Sequence, residues 1–110
     1  MANIVTKAAL SPARQRLIEL MQEVNYGRIK GLQVRNGEPV FDPPPDVLRL
    51  FLFGKDNKPN TARDNDGFAL KKKVAELFEI FDREQSLSIQ ELIIDDGLPI
   101  RMNVKETVRA

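Results

Sequence analysis

The amino-acid sequence predicts a small α+β domain: two helix-plus-β-hairpin units forming an antiparallel sheet with the helices on one face. Three observations carry this reading. Two stretches repeat apolar residues at helical spacing, two Asx-Gly pairs sit between apolar runs, and the second set follows the first at a near-constant interval. Residues 29–40 (IKGLQVRNGEPV) lie over residues 89–100 (IQELIIDDGLPI) at an offset of 60. The apolar positions, the Asn/Asp-Gly pair and the following proline coincide. Upstream, Leu17, Leu20, Met21 and Val24 match Val74, Leu77, Phe78 and Phe81 at an offset of 57, which places three extra residues in the polar stretch 82–86. The chain therefore reads as a single domain, 1–110, with an internal pseudo-repeat, 12–53 and 66–108, joined by the polar loop 54–65.

The first helix begins at Ser11-Pro12. Serine is a good N-cap, and proline costs nothing at the first helical position because its missing N–H has no intrahelical partner there. Leu17, Leu20, Met21 and Val24 then form one apolar stripe at i, i+3, i+4 and i+7. Gly27 ends this helix or starts the next strand. Asn36-Gly37 favours a two-residue type I′ turn, which sets Arg35 opposite Glu38 and Val34 opposite Pro39. The apolar spacing from Ile29 to Leu32 breaks strict alternation, and Gly31 between them suits a bulge. Pro39 and Pro99 read as protection of exposed strand edges, since neither has an N–H to offer a further strand.

A stiff connector, Phe41-Asp42-Pro43-Pro44-Pro45-Asp46, leads to an apolar strand expected over residues 47–53. Val47, Arg49, Phe51 and Phe53 would share one of its faces and Leu48, Leu50 and Leu52 the other. A strand apolar on both faces is either central or presents one face to a partner. In the second unit Asp64 or Asp66 can cap a helix whose stripe is Leu70, Val74, Leu77, Phe78 and Phe81. Asp96-Gly97 makes the second hairpin, and a last strand is expected near residues 103–108.

The composition excludes more chemistry than it selects. The chain has no cysteine and no histidine, so it has no disulfide, no thiolate metal site and no imidazole base. No phosphate-binding glycine pattern occurs among its six glycines. Asp64-Asn65-Asp66-Gly67 fails as a calcium loop: Ala62 stands where the first carboxylate belongs and Lys73 where the final glutamate belongs. Asp95 and Asp96 lie beside or in a tight turn, an exposed setting for acid–base work. Lys71, Lys72 and Lys73 fan around a helix at about 100° per residue and read as a solvated face, not an anion site. We expect no catalytic residue, no metal and no cofactor.

The expected role is a non-enzymatic binding or assembly module, with a protein partner or self-association and no membrane. The candidate binding residues are Tyr26, Arg28, Lys30, Arg35, Phe51 and Phe53. The alternative is a nucleic-acid-binding accessory protein that uses the basic first half. Residues 1–55 carry eight basic and five acidic side chains, and the remainder nine and eleven. Arg14, Arg28, Lys30 and Arg35 would then line one surface with Tyr26 stacking on a base. Balanced total charge, formally +1, weighs against that alternative. The first ten residues lack an apolar core of signal-peptide length, and a cysteine-free chain is expected in the cytoplasm.

Residues 17–40 place Asn25-Tyr26-Gly27 after a helix and Asn36-Gly37-Glu38-Pro39-Val40 in a hairpin. This stretch resembles short uncharacterised bacterial proteins of the YezD type. The second unit has Asp82-Arg83 after its helix in place of Tyr-Gly. The resemblance implies a bacterial origin and brings no activity with it.

Overall fold

The computed structural model describes residues 10–54 and 72–106. The elements run α1 (Pro12–Val24), β1 (Gly27–Arg35), β2 (Glu38–Val40), β3 (Asp46–Arg49), α2 (Lys72–Glu84), β4 (Leu87–Asp95) and β5 (Leu98–Val104). The fold is α+β: the described residues form two helices and one antiparallel five-stranded sheet. Ser11 caps α1 by accepting the Arg14 amide on its Oγ (3.2 Å). The expected caps of α2, Asp64 and Asp66, together with Leu70, Lys71 and most of the loop 54–65, lie outside the described residues.

The sheet order is β2-β1-β4-β5, and β3 joins β1 on the same side as β2. β2 pairs with the far end of β1 (Gln33 opposite Val40, Arg35 opposite Glu38) and β3 with its near end (Lys30 opposite Asp46, Gly27 opposite Arg49). Between them the chain leaves the sheet through the three prolines, which have no N–H for a ladder. The Asp42–Pro43 peptide is cis. β1 and β4 form the centre, with Ile29 opposite Leu92 and Leu32 opposite Ile89. The two Asx-Gly turns have positive φ at both central residues, 53° and 75° in the first and 56° and 74° in the second. That is the conformation of the type I′ turn, for which glycine at the second position removes the steric cost.

The core consists of Leu17, Ile18, Met21 and Val24 of α1, Val74, Leu77, Phe78 and Phe81 of α2, and Ile29, Leu32, Val34, Ile89, Leu92 and Ile94 of the central strands. Alternation slips once in each central strand, so that residues 29, 32 and 34, and likewise 89, 92 and 94, are the buried ones. Gly31, with φ of 78°, takes up the irregularity in β1.

Three expectations need correction. The helices end 60 positions apart, at Val24 and Glu84, and the nine-residue strands β1 and β4 begin 60 apart, at Gly27 and Leu87. No insertion exists at 82–86. Apolar stripes recur every three to four residues, so two helices can be aligned one turn out of step with little loss of match. The equivalent buried residues are Leu17, Ile18 and Met21 with Leu77, Phe78 and Phe81. The strand expected over 47–53 is four residues, 46–49, and lies at an edge. It stops because β1 begins at Gly27: the Leu50 amide still bonds the Tyr26 carbonyl (2.7 Å), and beyond that α1 leaves no strand to pair. The separate strand near 103–108 is absent among the described residues, since Asn103 and Val104 complete β5.

The halves also hold each other reciprocally. The Gly37 amide donates to the Gln85 carbonyl (2.8 Å), and the Gly97 amide donates to the Asn25 carbonyl (2.9 Å). Each hairpin turn thus ties down the C-terminal end of the other half's helix, where unpaired carbonyls need donors.

Candidate binding surface

The six expected binding residues fall into separate groups. Arg28, Lys30 and Arg35 are exposed, and alternation along β1 turns them away from the buried Ile29, Leu32 and Val34. Their face is not uniformly basic. Arg28 Nη1 donates to Glu91 Oε2 at 2.9 Å, and Lys30 stands opposite both Glu91 and Asp46. Gln33 donates to Ser88 Oγ at 3.1 Å, and Asn103 donates to Glu91 Oε1 at 3.4 Å. Opposite charges thus alternate across the strands, which leaves little continuous positive potential for a phosphate backbone.

Arg14 does not join this surface. Its side chain is only 12% exposed and donates to the Gly37 carbonyl from both Nε (3.2 Å) and Nη2 (2.8 Å). Nη2 also donates to Asp82 Oδ1 at 2.6 Å, and the guanidinium lies 5.1 Å over the Phe78 ring. Those partners are 23, 68 and 64 residues away, so no local spacing could have signalled the role. Tyr26 is half-buried in the turn from α1 into β1.

Phe51 and Phe53 belong to a different feature. Among the described residues the exposed large apolar ones are Val47, Leu48, Leu50, Phe51, Phe53 and Ile100, and all but the last lie within seven consecutive positions. Phe53 is 98% exposed. Arg49 covers Phe51 with its guanidinium, 4.7 Å from the ring centroid. Val47, Leu48 and Leu50 are missing from the expected set, although the apolar character of both faces of 47–53 was the available signal. Ile100 is exposed for another reason. β5 bulges there, the register passing from Ile94 opposite Pro99 to Ile93 opposite Arg101.

A groove of about 260 Å³ runs between α2 and β5, floored by Leu77, Leu92, Pro99 and Met102 and rimmed by Lys73, Glu76 and Arg101. Among the described residues no group of three acidic side chains could hold a metal ion. Among them, too, no helix is long and apolar enough to cross a membrane. Comparison of the chain with protein-family models, curated proteins and solved structures finds no match.

Proposed function

We propose that this α+β protein is a non-enzymatic binding or assembly module that engages another protein through β3 and the apolar residues that follow it. One observation carries this: five large apolar side chains stand exposed within residues 47–53, two in the edge strand β3 and three in the segment that follows it. Leaving five such side chains in water is unfavourable, and a protein partner would cover them. β3 also adds a row of backbone donors and acceptors on its free side, the usual template for strand addition. A cytoplasmic setting, a bacterial origin and descent of the two halves from one repeated unit belong to the same proposal. The 60-residue spacing of helices and strands and the reciprocal turn contacts support the last of these.

The test is photo-crosslinking in the source cell. A photoreactive residue at Leu50 should give protein adducts that the same residue at exposed Glu79 does not. Equal labelling at both positions, or none at either, overturns the reading. The nucleic-acid alternative rests on Arg28, Lys30 and Arg35. It requires salt-sensitive RNA or DNA binding that weakens when these three become alanine, and no binding at low salt disposes of it.

A further inference from the structure

We infer that the partner at this edge is a second copy of the chain, joined by antiparallel pairing of β3 with β3 about a two-fold axis at Leu48. The inference rests on the reading of residues 47–53 as the binding surface, and names what covers it.

Consider first which edges are open. β2 is three residues long and carries buried Pro39, and β5 carries Pro99 and the bulge at Ile100. Short length, proline and bulges all discourage a further strand. β3 has none of the last two, and every one of its residues is exposed. Among the described residues no strand lies on its free side.

The backbone then selects a register. Because the Leu50 amide points to Tyr26, Leu48 and Asp46 also turn their N–H and C=O toward β1. Val47 and Arg49 turn theirs outward. In a two-fold antiparallel pair, opposed residues share a face, so the numbers of an opposed pair must both be odd or both even. Centring on Val47 sets Arg49 against Pro45 of the second copy, which has no N–H to give. Centring on Arg49 sets like charges face to face, which is destabilising. Centring on Leu48 avoids both. Val47 and Arg49 then exchange both hydrogen bonds with their counterparts on either side of the axis. Leu48 meets Leu48 as a non-hydrogen-bonded pair, where opposed side chains come closest. The same register brings Phe51 level with Pro45 of the second copy and Phe53 level with its Pro43.

The area is adequate. From the exposure of Val47, Leu48, Leu50, Phe51 and Phe53, and about 200 Å² for a fully exposed phenylalanine, each copy offers on the order of 500 Å² of apolar side chain. Two copies would bury at most about 1,000 Å², in the size class of weak, transient interfaces, which suits a dimer that exchanges at micromolar concentration.

Sedimentation equilibrium of the full chain in the micromolar range tests this. The wild type should approach twice the chain mass of 12.5 kDa. Leu48→Lys should halve that mass while the circular dichroism spectrum stays unchanged, because Leu48 is half exposed and outside the core. Leu48→Glu should do the same, and mixing the two variants should restore the dimer mass, since only a residue on the axis meets its own counterpart. A wild type that stays monomeric overturns self-pairing, as does a dimer indifferent to Leu48→Lys or a mixture that fails to reassociate. Monomeric protein that still gives specific Leu50 adducts with a different protein refutes the second copy and leaves the binding module standing.

Discussion

Arg14 ties three elements together: α1 holds it, and it reaches the Gly37 turn and Asp82 and Phe78 of α2. Hydrogen bonds from a charged, largely buried donor are worth more than neutral ones, and truncation strands the Gly37 carbonyl. Arg14→Ala should lower the urea-unfolding free energy by about 2–3 kcal/mol, and Arg14→Lys should not restore it, because a point charge cannot reproduce the planar fork. Asp82→Asn should cost under ~1 kcal/mol, since the Asp82 carboxylate is mostly in water. A loss from Asp82→Asn as large as that from Arg14→Ala would move the weight from the carbonyl to the ion pair. Gly27 is tighter still. It has φ of 149°, and a Cβ there would stand 2.0 Å from the Leu48 carbonyl oxygen. Gly27→Ala should therefore loosen β3 from β1, seen as faster amide exchange at Leu48 and Leu50 with α2 unaffected. The sequence marks Gly27 as a helix terminator; that β3 passes so close to it depends on pairing 22 residues away.

At the level of elements, the hairpins were legible because their signals are local. Asn36-Gly37 and Asp96-Gly97 specify turn conformation within two residues, and the turn then fixes the register at Val34–Pro39 and Ile94–Pro99. The helices were legible as helices, but not in their alignment with each other, because a periodic stripe tolerates a one-turn shift. The extent of β3 was not legible at all. Residues 47–53 have strand-like composition throughout, and what cuts the strand at Arg49 is the end of its partner. One further property of the turns follows from their reciprocal bonds. Amides in exposed two-residue turns ordinarily exchange fast, yet Gly37 and Gly97 donate to the carbonyls of Gln85 and Asn25. Both glycines are buried. Their amides should exchange as slowly as those of the central strands in a native-state hydrogen-exchange experiment. Free-turn rates at both positions would mean that the halves are not clasped in solution.

The whole molecule depends on that clasp, because neither half has a core of its own. Leu17 and Met21 of α1 share one buried cluster with Leu77 and Phe81 of α2, and the β1–β4 pairing runs through its middle. A unit of one helix and one hairpin buries too little apolar surface to offset its conformational entropy. The exposed apolar residues within 47–53 lie outside this cluster, so the proposed binding surface and fold stability draw on different side chains. We therefore expect a single cooperative unfolding transition, in which the halves melt together. Leu17→Ala in the first half should cost about 2–5 kcal/mol and Phe81→Ala in the second about 3–5 kcal/mol. Both should shift the midpoint of the same transition without changing its denaturant dependence. Leu48→Lys should leave that midpoint unmoved when measured on monomeric protein, since it removes no core contact. Two transitions, each sensitive to only one of the core substitutions, would show that the halves fold separately and that the reciprocal turn contacts add little.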